Sequence, residues 1–162
     1  MNLLGTENAK TSKGEKLGYL TGILYLAPAN LSGKNLCPSA SIGCVDACLN
    51  LSGMGVFSNV QAGRIRKAKL YNENKELFYE HLRKDIKAVI RKAERENLIP
   101  CIRLNGTSDQ PQMARKMALE FPNVQFYDYT AIPNPGKRSL PNYQLPFSAK
   151  EDNWLECVKA LE

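Results

Sequence analysis

Cys37, Cys44 and Cys48 fall within one twelve-residue stretch, Cys37-Pro-Ser-Ala-Ser-Ile-Gly-Cys44-Val-Asp-Ala-Cys48. Thiolates are soft ligands that suit iron–sulfur clusters or zinc. Ser39, Ser41 and Gly43 resist regular structure, so the loop can curl and turn its backbone amides toward the sulfurs. Cys44 and Cys48 stand four apart, which places both on one face of a helix beginning near Cys44. A [4Fe–4S] cluster held by three thiolates keeps one iron open to a small molecule. Structural zinc takes a fourth ligand, for which Cys101 and His81 are the candidates. Both also have ordinary readings, Cys101 as a small buried hydrophobe and His81 as a residue at the edge of a helix. Cys157 reads as a core residue of the last helix. The expected cofactor is therefore a [4Fe–4S] cluster, with zinc as the alternative metal.

A second set of polar groups falls at the ends of apolar runs. Arg103, Asn105, Thr107, Ser108 and Asp109 end or follow one run, Tyr127, Asp128, Tyr129 and Thr130 end another, and Asn142, Tyr143 and Ser148 flank a third. In a parallel sheet, ligands bind beyond the carboxyl ends of the strands. Arg103 suits a carboxylate, Asp109 or Asp128 an amine or ribose hydroxyls, and Tyr127 or Tyr129 a stacked base or a proton transfer. The cofactor-binding candidates are Arg103, Asn105, Ser108, Asp109, Tyr127 and Asp128; the catalytic candidates are Asp109, Asp128 and Tyr129. Structural alternatives stand beside these: Asn105-Gly106 as a turn, Ser108 or Asp109 as a helix cap, and Arg103–Asp128 as an ion pair.

The elements that must carry these residues follow from periodicity. Residues 1–16 are polar and read as a flexible arm, followed by a single α/β domain over 17–162. Leu17–Ala27 reads as a buried strand ended by Pro28. Helical composition covers Asn59–Tyr71. Phe78, Leu82, Ile86, Val89, Ile90 and Ala93 form one apolar stripe on a helix from about Lys75 to Asn97. Strands are expected at Cys101–Leu104, Val124–Tyr129 and Tyr143–Phe147, with a helix from about Ser108 to Glu120. Ser148-Ala-Lys-Glu151 reads as a capping box, opening a last helix with Trp154, Leu155, Val158 and Leu161 inward. Alternation of this kind predicts mainly parallel strands with crossover helices. The fold class is α/β, an open or incomplete barrel of about four strands, which a partner is able to complete.

The chain has 162 residues, 43% hydrophobic and 23% charged, with a net charge of +6. That length is enough for one core, and the positive charge favours acidic partners, nucleic acid included. The basic residues from Arg83 to Arg95 interleave with acids and also read as a solvated helix face. No apolar run is long enough to cross a membrane, and no secretory leader follows Met1. A cytoplasmic location is expected, where crowded cysteines indicate metal rather than disulfides.

Several strings carry a resemblance. Asn8-Ala-Lys-Thr, Gly18-Tyr-Leu, Leu24-Tyr-Leu-Ala-Pro28, Cys37-Pro…Cys44…Cys48-Leu, Arg103-Leu-Asn-Gly-Thr-Ser-Asp109, Phe126-Tyr-Asp-Tyr-Thr130 and Pro141-Asn-Tyr143 together resemble the phage gene product eighty-eight family over nearly the whole chain. That family is similar to radical S-adenosylmethionine proteins in placing a three-cysteine loop after the first barrel strand. The resemblance implies a cluster at Cys37, Cys44 and Cys48, S-adenosylmethionine at the open iron, and an electron donor. The residues do not name the substrate; the phage setting and the positive charge point toward a nucleotide or nucleic acid, and the rival reading is a non-catalytic metal-stabilised module binding nucleic acid or protein.

Overall fold

The computed structural model describes residues 1–7 and 9–160. Its centre is an open five-stranded sheet in sequential order: β1 (Leu4–Gly5), β2 (Tyr19–Leu24), β3 (Ile99–Arg103), β4 (Gln125–Tyr127) and β5 (Tyr143–Gln144). β2 to β5 are mutually parallel, the four parallel strands the alternation predicts, and β1 adds an antiparallel edge. The sheet does not close.

The segment read as an arm is built into the fold. β1 pairs with β2, and Leu3 is fully buried. Asp85 accepts from the Leu3 and Leu4 amides, and Lys67 Nζ donates to the Leu3 carbonyl at 2.7 Å. α1 (Ala9–Glu15) follows. Its residues alternate too little to announce a helix, and it forms where it packs beside β2, with Gly14 close to Thr21. Asn8 lies outside the described residues.

The crossover from β2 to β3 holds α2 (Ile42–Asp46), α3 (Ser58–Glu73) and α4 (Lys75–Arg95). α4 carries the predicted stripe: Phe78, Leu82, Ile86, Val89 and Ala93 are buried. They meet Leu20, Leu24, Ile102 and Phe126 of the sheet in one apolar core. Gly22 in β2 is tightly placed, since a Cβ there would stand 3.0 Å from Val89 Cγ2. α5 (Pro111–Glu120) joins β3 to β4 and buries Met113 and Met117. Asn142 Nδ2 donates to the carbonyls of Ala118, Phe121 and Val124, tying the end of α5 to the strands.

The end of the chain differs from expectation. The last helix, α6 (Trp154–Lys159), starts later than the capping box implies, with Asn153 at its N-cap. Trp154 and Leu155 are each 71% exposed, so its apolar residues do not face the core, and Leu161 lies outside the described residues. The Ser148 carbonyl accepts from Asn153 Nδ2 at 2.9 Å, while Glu151 is drawn away from α6 to the Gly43 amide. No helix among the described residues is long and apolar enough to cross a membrane.

Candidate functional site

Parallel strands bring the polar strand ends to one rim. There a cavity of about 460 Å³ is lined by Cys37, Cys44, Cys48, Arg103, Asn105, Thr107, Ser108, Asp109, Tyr129, Lys150 and Glu151, among others. The three cysteines, all free thiols, also border a neighbouring apolar hollow of about 380 Å³.

The cysteine loop is pinned at its start by the turn after β3. Thr107 Oγ1 donates to the Leu26 carbonyl at 2.6 Å, and the Asp109 amide donates to the Leu36 carbonyl at 2.8 Å. Cys37 Sγ accepts from the Ala29 amide at 3.5 Å and donates to the Thr107 carbonyl at 3.8 Å. Leu36 N–H returns to the Ala29 carbonyl, and Ala29 takes a positive φ of 45° to allow this reversal. The Cys44 amide donates to Ser41 Oγ at the cap of α2. Cys48 is not on that helix, which ends at Asp46. It sits in extended backbone, and its sulfur accepts from the Asn50 amide at 3.5 Å. The expected shared helical face of Cys44 and Cys48 is therefore absent, because a single-turn helix does not reach the second cysteine. The amides that meet sulfur belong to Ala29 and Asn50, outside the loop, rather than to its own Gly and Ser residues.

A second clamp comes from the far end of the chain. Lys150 Nζ donates to the Ser39 carbonyl at 2.7 Å, and Glu151 Oε1 accepts from the Gly43 amide at 3.0 Å. A Cβ on Gly43 would stand 2.7 Å from that carboxylate oxygen, so glycine admits the contact. Sequence reasoning placed Glu151 in a capping box for its own helix; it caps α2 instead, more than a hundred residues away, and helix-cap chemistry at Glu151 was the one available signal.

The expected helix-capping role of Ser108 or Asp109 is not realised. Gln110 is the N-cap of α5, and Pro111 follows it inside the helix. Ser108 Oγ and the Gln110 amide instead donate to Asn105 Oδ1 at 3.0 and 2.8 Å. Asp109 accepts from Thr130 Oγ1 at 2.7 Å and the Ala131 amide at 2.9 Å, and burial pushes its carboxyl up despite them. Asp128 is completely buried and does not line the cavity. It accepts from the Asn105 amide (2.7 Å), Asn105 Nδ2 (2.9 Å) and Tyr143 Oη (3.3 Å). Burial pushes it up to about 7, against the hydrogen bonds from Asn105. It therefore positions Asn105. The ion pair between Arg103 and Asp128 is absent: the guanidinium carbon of Arg103 stands 5.2 Å from the Tyr129 ring and 6.0 Å from the Tyr127 ring, and its Nε is buried without a partner. Tyr129 reaches the cavity, whereas Tyr127 does not.

Burial pushes the Cys37 thiol up, with added repulsion from Cys48, Asp109 and Cys44, and burial followed by Cys48 raises Cys44. Negative charge in this loop is thus costly, as it is for any thiol taken out of water. Among the described residues, no three Cys, His, Asp or Glu side chains lie close enough together to hold a metal ion. The donor set is three thiols on one cavity with amides on two sulfurs, which in ligand type is the chemistry of a cluster. Neither Cys101 nor His81 lines the cavity. Cys101 is a buried residue of β3 whose thiol burial pushes up to about 11. Sequence reasoning also missed Arg64, which lies buried beside the loop; an arginine in phase with Ala68 and Tyr71 on the inner face of α3 was the available signal.

No curated protein and no solved structure matches the chain. The model of the phage family Gene product 88 matches residues 2–161, nearly the whole chain that builds this rim, and the chain belongs to that family.

Proposed function

We propose that this is an iron–sulfur protein in which Cys37, Cys44 and Cys48 hold a [4Fe–4S] cluster, and that it works as a radical S-adenosylmethionine-type enzyme on a nucleotide or nucleic-acid substrate. The observation that carries this reading is three free thiols lining one cavity with Arg103 and Asp109 beyond the carboxyl ends of parallel strands. A cluster so held supplies one-electron chemistry at an iron that no protein thiolate occupies. Around it, Arg103 lines the cavity and offers a fork of donors for a carboxylate. Asp109, anchored by Thr130 and Ala131, offers an acceptor to an amine or to ribose hydroxyls. Asn105 is oriented by Asp128 and holds the turn that carries both. The four parallel strands form an arc of an incomplete barrel in this reading, β5 gives a partner an edge to extend, and an electron donor is required.

One observation favours a second reading. Ile42, Val45, Leu49, Leu51, Met54, Val56 and Phe57 are all exposed along the cysteine segment. Such a run suits a non-catalytic module, stabilised by zinc or a cluster, that binds protein or nucleic acid.

Anaerobic reconstitution of the full chain with iron and sulfide separates the two. The enzyme reading expects a brown protein with about four irons per chain, loss of colour in Cys37→Ser, Cys44→Ser and Cys48→Ser, and cleavage of S-adenosylmethionine by the reduced sample. A colourless protein holding stoichiometric zinc, or a reduced cluster inert to S-adenosylmethionine, overturns it.

A further inference from the structure

A guanidinium lies buried behind the cysteine loop. Arg64, on α3, keeps only 9% of its surface. Its Nη1 donates to Asn50 Oδ1 at 2.6 Å, its guanidinium carbon stands 5.1 Å from the centre of the Tyr25 ring, and its Nε is buried with no partner. The ion pairs among the described residues are Arg83–Glu120 and Lys150–Asp152, so no carboxylate neutralises it. A buried cation without a counter-charge is unfavourable, and folds do not keep one without a compensating anion or ligand.

The geometry shows where that anion belongs. Asn50 bridges the two groups: its side-chain oxygen accepts from Arg64 while its amide donates to Cys48 Sγ at 3.5 Å. The Ala27 amide donates to the Arg64 carbonyl at 3.3 Å, which fixes this part of α3 to the chain just beyond β2. The cation is thus held from three sides at a set place beside one of the three thiols.

We infer that Arg64 is the counter-cation of the cysteine loop: through Asn50 it balances the negative charge that Cys48 and its neighbours carry once they hold a metal centre. The inference rests on the iron–sulfur reading above. Arginine suits the position because its charge is permanent, it is weakly hydrated, and its plane stacks on Tyr25. Reduction adds one negative charge to a cluster, and net charge and hydrogen bonds near the sulfurs set cluster potentials. A fixed cation on the Cys48 side therefore makes reduction easier. Arg64 acts as a positioning and charge-balancing residue and does not line the cavity.

The test is a redox titration of the reconstituted full chain, followed in the visible spectrum, for wild type, Arg64→Gln and Arg64→Lys. Arg64→Gln shifts the reduction equilibrium toward the oxidised form about tenfold or more, about 59 mV more negative for a one-electron couple. Arg64→Lys keeps most of the wild-type potential. An Arg64→Gln protein that holds its cluster at the wild-type potential overturns this inference and leaves the iron–sulfur reading intact. A folded wild-type chain that takes up no cluster overturns both. Should circular dichroism find Arg64→Gln unfolded, the crystal structure of the loaded wild type decides. A guanidinium still turned to the Cys48 side without a carboxylate supports the inference, and one swung into solvent overturns it.

Discussion

Replacing Asp128 by asparagine should change stability by an amount that depends on pH, and the size follows from burial. An unfolded aspartate titrates near ~3.9, whereas Asp128 in the fold is pushed up to about 7 because it is sealed from water. Between those values the folded chain holds a proton that the unfolded chain has released, so stability falls as pH rises through the interval. A gap of about three units corresponds to roughly 4 kcal/mol in full, of which about 2 to 3 kcal/mol falls between pH 5 and pH 8. Asp128→Asn has no proton to lose and is spared that decline. It carries its own cost, since an amide offers only one oxygen to the two donors of Asn105, the backbone N–H and Nδ2. One of them then faces an N–H group in a dry site, at about 1 to 3 kcal/mol. The variant is thus less stable than wild type at pH 5 and equal or better at pH 8. Urea denaturation of both proteins at the two pH values measures this, and the difference between them cancels every other titrating group. A wild-type-to-variant difference that stays constant from pH 5 to pH 8 would refute the reasoning, because Asp128 would then titrate as it does unfolded.

The remaining predictions concern how the cysteine loop is held. Gly106→Ala should cost about 1 to 3 kcal/mol in thermal or urea denaturation, since its Cβ would stand 2.7 Å from the Tyr25 ring and 2.8 Å from the Leu24 carbonyl; a variant as stable as wild type would mean that β2 and the turn after β3 approach less closely. Glu151→Ala should speed hydrogen exchange at the Gly43 amide while leaving the global unfolding transition in place, because it removes the acceptor of that N–H from an exposed site. Unchanged exchange at Gly43 would show that the clamp is not formed in solution.

The parallel core was legible because its signals are local. The stripe on α4 repeats at three- and four-residue steps, and those side chains are the ones buried. β2, β4 and β5 fall within the apolar runs and are shorter than them, whereas β3 begins at Ile99, two residues before its expected start, and ends at Arg103: the first run reaches from Leu17 to Ala27 and pairs only over Tyr19–Leu24. Apolar content marks where chain is buried, while pairing needs a partner strand in register, and β3 supplies one for only five residues, Tyr19 to Ile23. β1 was illegible for the converse reason. Two residues carry no period, and they become a strand only because β2, Asp85 and Lys67 are there to receive them.

The site was legible in its membership and not in its construction. Residue type and strand-end position were enough to bring Cys37, Cys44, Cys48, Arg103, Asn105, Ser108, Asp109 and Tyr129 to one cavity, whereas Tyr127 and Asp128, expected beside them, do not line it. Roles depend on contacts between segments far apart in the chain, and there local rules failed in a consistent direction. Ser108, Asp109 and Glu151 all carry helix-cap chemistry, and none caps the helix that follows it. A side chain that accepts hydrogen bonds from backbone amides serves a neighbouring helix only when no other unpaired amide is nearer. In this fold the cysteine loop and the segment after β4 supply such amides, at Gly43 for Glu151 and at Ala131 for Asp109. A loop of three thiols with little helix or strand of its own must be held from outside, and the polar residues that local rules assign to helix ends are the ones available to hold it.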